Sequence, residues 1–504
     1  MAMPLGAFVP DEEAARWIEA WLRAVDPALA AGVWPGWDPA RQAVGLALPG
    51  GGGWCVARAA AAGGRAVADR MGGTLPGVAR LVDAPRGGAG AGGVLARAHI
   101  PGVVGCALGG TAVPTLTDAA PLPDLAARVA AALFALWWAG DRSAPVPAAP
   151  AWEPAEAEAL GVVEGRVLLA ALRGDARTPE VRASWPRLAT QLALLRRERY
   201  ACSEPDDPGA GEQAEAAGAQ GAFAAGGRAM EVAAGLPAFV GAACAAALGG
   251  GGSGSAPPPE LAAGLADLGL LPQPARRRLT GWGLATFLSR LEAAGPRDAD
   301  PAAGRAWAPP RAFPQGWRVA LREGVGLDRL LEAYVTFDGG SRDDAALTAA
   351  LAAHGYAEAL ARSRVAAAAA EHARTALLAG ILQGGGTLLV VDVRGLGVGR
   401  VAAPRPAELV HAGLAVHPAG VTFTYPRGTL LAFSGVPVAE DRRAGLLQVR
   451  VRGRLRLDGD GTALGAAAAD FSQGLELRVP GVRIRARTGS IQPVEGGYLL
   501  RLLG

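Results

Sequence analysis

The sequence predicts an α+β fold with a mixed β/helical N-terminal region, a helical centre and an antiparallel β-rich C-terminal region. Three observations carry this prediction. Short apolar runs broken by glycines fill residues 33–116, apolar residues recur at helical spacing through residues 121–383, and alternating apolar and polar residues follow Gly384. Hydrophobic residues make up 51% of the 504 residues, which is typical of a globular chain with more than one domain.

The organisation along the chain predicts four regions. A flexible Gly/Ser/Pro segment at Gly249–Pro259 and a loop over Ala293–Pro314 interrupt the helical centre. The regions are a mixed N-terminal segment with short strands, a first helical region, a second helical region and a β-rich domain: residues 1–120, 121–250, 260–383 and 384–504.

Start signals and apolar spacing define the elements before residue 384. Pro179 follows Thr178 at the first helical position, where the missing N–H of proline costs nothing. The predicted strands are Ala43–Leu48, Trp54–Ala57 and Val103–Leu108, with Gly50–Gly53 as a hairpin connection. The predicted helices cover residues 11–30, Leu125–Trp138, 155–173, 179–200, Gly211–Leu248, Glu260–Glu292 and Trp317–Gln383.

Beyond Gly384 the pattern has a period of two, as in strands with one buried face. The predicted strands are Thr387–Val393, Val421–Tyr425, Leu446–Leu457, Leu475–Val479 and Val482–Arg487. In Leu446–Leu457 the apolar residues alternate with Arg450, Arg452, Arg454 and Arg456, which predicts a basic face on one strand.

Charge excludes a strongly basic chain as a whole, because the net charge is +3. Residues 384–504 nevertheless hold 15 Arg against 9 Asp plus Glu. The basic face could contact nucleic-acid phosphates. Aromatic residues that could stack on bases are few there, and the chain has no Lys, so Arg performs all ordinary solvation. A solvated sheet face is therefore favoured, and nucleic acid is an unlikely partner.

The sequence predicts a cytoplasmic protein without a membrane span. The first residues carry Asp11, Glu12 and Glu13 in place of a basic segment followed by an apolar one. The four cysteines are far apart, as in a reducing compartment. The uncharged stretch Val232–Gly250 is rich in Ala and Gly and contains Pro237, which favours a buried core helix over a membrane helix.

One group of residues offers a candidate metal site. His354 and Glu358 stand one helical turn apart, and His372 lies further along the same helical region. Such side chains can ligate Zn²⁺, although exposed His and Glu are also common on solvated helices. A metal-dependent hydrolase using these three residues is therefore an alternative hypothesis.

Several landmarks occur in a recognisable order between residues 33 and 435. They are Trp34-Pro-Gly-Trp-Asp-Pro39, Ala98–Ala107 running into Gly109–Pro114, Arg196-Arg-Glu-Arg199, Gly281–Leu291 and Gly316-Trp317. In this order the chain resembles a bacterial family of HExxH zinc metallopeptidase-like proteins of the gluzincin type. In that family a helix carries HExFH, and a later helix supplies a Glu in an E-G-L-A-E-Y segment.

The resemblance implies that this chain has lost the zinc ligands. The positions matching the two His are Ala131 and Ala135, the position of the general-base Glu is Ala132, and the third ligand falls at or near Ala217. Catalytic zinc needs three protein ligands, and alanine supplies none. The hypothesis is a non-catalytic, pseudopeptidase-like protein without a cofactor that binds a protein partner through a remaining cleft or its β-rich domain.

Overall fold

A computed structural model describes most of the chain. The described residues are 33–39, 42, 44–47, 53–56, 78–81, 100, 103–108, 111–116, 122–141, 153–176, 178–202, 211–248, 259–294, 315–335, 341–397, 399–402, 408–411, 413–452, 456–458, 469–472 and 474–503. Side chains of the strands between residues 45 and 116, and of residues 211–224, 408–411 and 456–458, are not included. The helix predicted over 11–30, the linker before Pro259 and the loop before Pro314 lie outside these ranges.

The chain divides into two compact units. The first comprises residues 1–149, 156–204 and 221–361, and the second comprises residues 150–155, 205–220 and 362–504. The predicted α+β class is confirmed, with helices in the centre and β-strands in the C-terminal region.

The first unit contains one five-stranded sheet. Its strands are β1 Val44–Ala47, β2 Gly53–Val56, β3 Val78–Leu81, β4 Val103–Leu108 and β5 Thr111–Leu116. The sheet order is β3-β2-β1-β5-β4, in which β1 and β5 are parallel and the other pairs are antiparallel. The antiparallel pairing of β1 with β2 places the two strands on either side of the glycine-rich connection, as the sequence predicts.

Helices make up the rest of the described part of the first unit. They are α1 Leu122–Asp141, α2 Ala155–Leu172, α3 Pro179–Ala201, α4 Gly211–Leu248, α5 Pro259–Ala266, α6 Gln273–Ala294, α7 Trp317–Arg322, α8 Leu327–Glu332 and α9 Ser341–Ala353. Ala155 of α2 and residues 211–220 of α4 are assigned to the second unit, and a tenth helix, α10 Tyr356–Gln383, also crosses the boundary between the units along the chain. The predicted segment Glu260–Glu292 forms two helices, because a 3₁₀ turn at Leu268–Leu270 and then Pro272 interrupt it.

The core of the first unit is built from apolar faces of α1–α8 around a group of aromatic rings. Trp34 packs edge-on against Phe134, Trp138 and Trp317, with ring centroids 5.1, 5.6 and 5.5 Å away. Edge-to-face rings at this separation gain attraction beyond their burial. Two landmarks that are far apart in the sequence, Trp34–Pro39 and Gly316-Trp317, therefore meet in one core with the end of α1.

The second unit contains two sheets. Their strands are β6 Thr387–Gly395, β7 Arg400–Ala402, β8 Glu408–His411, β9 Leu414–His417, β10 Gly420–Thr424, β11 Leu430–Ser434, β12 Val438–Asp441, β13 Leu446–Val451, β14 Arg456–Asp458, β15 Ala469–Phe471, β16 Leu475–Val479, β17 Val482–Ala486, β18 Thr488–Val494 and β19 Gly497–Leu503. One sheet has the order β14-β16-β17-β11-β10-β7, and the other has the order β15-β18-β19-β6-β13-β12-β9-β8.

Every strand pair in these sheets is antiparallel except β19 with β6, which is parallel. Alternate residues such as Leu389, Val449, Leu477 and Ile484 are fully buried in a shared apolar core. The alternation that predicts half-buried strands thus holds in both sheets.

The prediction that Leu446–Leu457 forms a single strand is wrong. Strand β13 ends at Val451 and belongs to the eight-stranded sheet, whereas β14 begins at Arg456 and belongs to the six-stranded sheet. A period of two cannot reveal a change of sheet when the residues on both sides of the break keep the same alternation.

Candidate functional site

The positions at which the resemblance expects two zinc ligands and the general base lie inside the packed core. Ala131, Ala132 and Ala135 of α1 are 5%, 0% and 3% exposed. Helix α4 passes directly over this surface. A Cβ atom added at Gly241 would lie 2.4 Å from the carbonyl oxygen of Ala127 and 3.3 Å from the Cβ of Ala131. The space that a ligand side chain at residue 131 would need is therefore occupied by the backbone of α4.

The third motif position, Ala217, lies in α4, and its side chain is outside the described residues. Among the residues that the structure describes, no group of three or more His, Cys, Asp and Glu side chains could hold a metal ion.

The alternative metal site is not assembled in this structure. Glu358 and His372 lie on the single helix α10, and 14 residues of helix correspond to about 21 Å along its axis. One metal ion cannot bind both side chains. The carbonyl oxygen of His354 accepts a hydrogen bond from Arg166 Nη1 at 2.6 Å, and burial together with Arg166 and Arg187 lowers the pKa of His354.

In the described part of the first unit, buried charged side chains form a cluster around Arg196. This side chain is 2% exposed and donates to three carboxylates. Its Nη2 lies 2.5 Å from Glu231 Oε2, its Nε lies 2.5 Å from Asp328 Oδ1, and its Nη1 contacts Glu164. We call the following six residues the arginine cluster: Glu164, Arg196, Arg199, Tyr200, Glu231 and Arg277.

The remaining members of the arginine cluster share the same two carboxylates. Arg199 Nη1 donates to Glu164 Oε2 at 2.7 Å. The hydroxyl of Tyr200 and Nη1 of Arg277 both donate to Glu231 Oε1, at 2.9 and 3.0 Å. Each buried carboxylate thus receives hydrogen bonds from more than one buried donor, which buried charges require.

Small residues let the helices approach closely enough for these contacts. At Gly281 of α6, an added Cβ would lie 2.1 Å from the carbonyl oxygen of Glu231 in α4. At Gly161 of α2, it would lie 2.9 Å from the guanidinium of Arg199. Glycine at these two positions therefore makes room for a close helix crossing and for a guanidinium group.

The electrostatics of the arginine cluster fix the protonation states of Glu231, Arg196 and Tyr200. Burial disfavours the Glu231 carboxylate, but Arg196, Arg277 and Arg199 outweigh this effect and lower its pKa to about 2. Burial also opposes the charge on Arg196, but Asp328, Glu164 and Glu231 raise its pKa well above the usual value. Burial and the charge of Glu231 raise the pKa of Tyr200, so its phenol stays protonated.

A pocket of about 180 Å³ opens on the arginine cluster. Arg196 and Tyr200 form its inner wall, and Arg197, Arg228 and Asp328 stand around its mouth. Arg228, which is 50% exposed, donates to Asp328 Oδ2 at 2.6 Å and lies 4.3 Å from the centroid of the Tyr200 ring. The pocket therefore presents charged hydrogen-bonding groups to solvent.

This arrangement can bind polar groups, but Glu231, Tyr200 and Arg196 do not exchange protons near neutral pH. General acid–base catalysis needs a group whose pKa lies near the working pH. The pKa values of Glu231, Tyr200 and Arg196 are all moved away from that range. The geometry and the charges favour a rigid structural centre with a polar recess at its edge.

Sequence reasoning found only part of the arginine cluster. The landmark Arg196-Arg-Glu-Arg199 includes two of its six members, but the sequence-based prediction does not include the other four, which are Glu164, Tyr200, Glu231 and Arg277. A usable signal does exist in the sequence. Within the apolar stretch Leu160–Leu172 of its helix, Glu164 is one of two charged residues with Arg166, and a charge in such a setting indicates a buried partner.

The predicted basic face is not one surface. Arg450 donates to the carbonyl oxygens of Ile381, Leu382 and Gly386 at 2.9, 2.5 and 2.9 Å, so it caps the end of α10. Arg452 is exposed after the end of β13. Arg456 belongs to the other sheet, and Arg454 lies outside the described residues.

In the part of the chain that the structure describes, two helical segments are long and apolar enough to cross a membrane by length and composition: Ala225–Ala247 and Tyr356–Gln383. In the apolar window of the first, 67% of the residues are buried inside the protein, as in a core helix. In that of the second, 11% are buried. The absence of a membrane span stays a prediction.

Comparison with known proteins adds no relative. No family model, no curated protein and no solved structure matches this chain.

Proposed function

We propose that this chain is a non-catalytic, metallopeptidase-like protein that acts by binding a protein partner. The observation that carries the proposal is the contact between α1 and α4. Ala131 packs against Gly241 at the place where the resemblance expects a zinc ligand. Close helix packing takes the place there of side chains that could hold a metal ion and activate its bound water.

The arginine cluster supports the same proposal. Glu231 and Arg196 stay charged and Tyr200 stays neutral near neutral pH, which suits stability and polar recognition better than proton transfer. The half-exposed Arg228 at the pocket mouth offers a donor that a polar group of a partner can reach. A cytoplasmic location without a cofactor belongs to the proposal as well.

The relocated metal-dependent hydrolase is the weaker alternative. It requires His354, Glu358 and His372 to act together, and the helix separates Glu358 from His372 by about 21 Å. A hydrolase at this place would need a different set of ligands.

Elemental analysis tests the proposal. Full-length protein is purified without chelator, incubated with equimolar Zn²⁺ and passed over a desalting column. We expect far less than one zinc per chain and no cleavage of a casein substrate. Stoichiometric zinc that is lost in H354A/H372A would overturn the proposal and support the hydrolase. Zinc-dependent cleavage that survives this double substitution would overturn it as well.

A further inference from the structure

The outer surface of the six-stranded sheet carries an ordered group of arginines. Strand β17 exposes Arg483 and Arg485, Arg487 follows at its end, and Arg478 is exposed on the neighbouring strand β16. We call these four residues the arginine face. The inward residues between them, Val482, Ile484 and Ala486, are buried, so the alternation of the strand directs the arginines to solvent.

The arginine face has more positive charge than its neighbours neutralise. Arg478 is paired directly across from Arg483 in the sheet register, and Glu476 accepts hydrogen bonds from both at 2.6–3.0 Å. Like charges directly opposite each other are unfavourable unless an anion lies between them. Within the described part of the chain, no ion pair involves Arg485 or Arg487, and the face keeps a surplus of three positive charges.

We propose that the arginine face binds an extended acidic segment of a protein partner. Arginines at every second position of a strand repeat about every 6.8 Å, which is also the repeat of alternate side chains in an extended peptide. The planar guanidinium can hold a carboxylate by two parallel hydrogen bonds. Glu476 already shows that a carboxylate fits between two arginines of this surface.

The surroundings of the arginine face favour a peptide over a nucleic acid. Its neighbours across the register on β11 and β10 are Leu430, Ala432, Thr422 and Thr424. None of these side chains is aromatic, whereas proteins that bind single-stranded nucleic acid stack bases on aromatic rings. The proposal rests on the partner-binding function proposed above and names the chemistry of that partner.

The test measures binding of a fluorescein-labelled (Glu-Ser)₄ peptide to the full-length protein by anisotropy at low and at 200 mM salt. The variant R483Q/R485Q/R487Q removes three charges from the face. The matched control R443Q/R452Q/R501Q removes three exposed charges from the eight-stranded sheet and its connections. We expect saturable binding that weakens at least tenfold in the face variant, since three exposed ion pairs together give about that factor. The control should stay within twofold of the parent protein.

Three results would overturn the arginine face as a docking site. The first is the absence of saturable peptide binding, and the second is an equal loss of peptide affinity in the face variant and the control. The third is tighter binding of an oligothymidylate of eight nucleotides than of the peptide. None of these affects the zinc result, so the non-catalytic proposal stands or falls separately. Cleavage of the peptide, detected by mass spectrometry, would instead overturn the non-catalytic function whatever the binding data show.

Discussion

Arginine has opposite roles in the two units of this molecule. In the first unit, which is mainly helical and is called the helical unit below, three arginines are buried: Arg196, Arg199 and Arg277. Each of them contacts a buried carboxylate. In the second unit, which is mainly β-sheet and is called the sheet unit below, Arg483 and Arg485 lie on an exposed face with too few carboxylates to neutralise them. The chain contains no Lys, so one residue type performs both internal pairing and surface solvation. Composition alone therefore cannot separate structural from interacting arginines, and burial must decide.

The largest expected effect is the loss of a buried arginine. The substitution Arg196→Met leaves Glu164 and Glu231 buried with fewer donors, and breaking a buried pair in this way costs about 3–5 kcal/mol. Tryptophan fluorescence during urea unfolding measures this loss in the first unit, because 11 of the 12 Trp belong to that unit and only Trp152 does not.

The control for this prediction comes from the sheet unit. Arg485→Gln should change the free energy of unfolding, followed by far-UV circular dichroism, by no more than about 0.5 kcal/mol. If Arg196→Met costs less than about 1 kcal/mol, the arginine cluster is not the stabilising centre of the helical unit.

Acid should destabilise the helical unit through the arginine cluster. The folded pKa of Glu231 is about 2, below the ordinary value of 4.5, so the unfolded chain binds more protons at acidic pH. The contribution of Glu231 is complete above about pH 5 and disappears as the pH falls toward 2, with a loss of a few kcal/mol.

Urea titrations followed by tryptophan fluorescence at pH 7, 5, 4 and 3 measure this acid dependence. The variant E231Q is less stable at pH 7, and its stability should depend less on pH in this range. An equally steep decline in E231Q would place the acid sensitivity in other carboxylates.

A smaller effect separates Arg450 and Arg452, two members of the predicted basic face. Arg450→Gln removes hydrogen bonds to three carbonyl groups near the end of α10, and we expect a cost of about 1.5–3 kcal/mol. Arg452→Gln, on an exposed residue two positions away, should cost no more than about 0.5 kcal/mol.

Hydrogen exchange of the last turn of α10 measures the difference between these two variants. Protection should fall in Arg450→Gln and stay at the parent level in Arg452→Gln. Equal protection in both would mean that Arg450 does not hold the helix end in solution.

Much of the fold was predictable where local patterns decide it. The helix Gly211–Leu248 and the strands Val103–Leu108 and Leu475–Val479 have the predicted bounds. Strands β18 and β19 were missed, although Ile491, Leu500 and Leu502 are buried in the core. Their pattern includes Gly and Pro residues, which weaken a strand signal, while pairing with distant strands stabilises them.

The candidate sites were harder to predict because they depend on which residues meet. Arg450 and Arg452 alternate in the sequence as members of one face, yet only the contact with α10 distinguishes them. Likewise, Glu231 and Arg277 are 46 residues apart, and the crossing of α4 with α6 brings them together. No periodicity within one element encodes such a contact.

The parallel pairing of β19 with β6 has a consequence for how the sheet unit is made. Strand β19 lies between β18 and β6, and its partner residues on β6 are about 110 positions earlier in the chain. During synthesis, every other strand of the eight-stranded sheet emerges before the one that joins its two parts. Until Gly497–Leu503 is inserted, β6 and β18 each have an unpaired edge, and such edges invite pairing with another chain. This unit should therefore complete its folding late and slowly, since a long loop must close before its central contacts form.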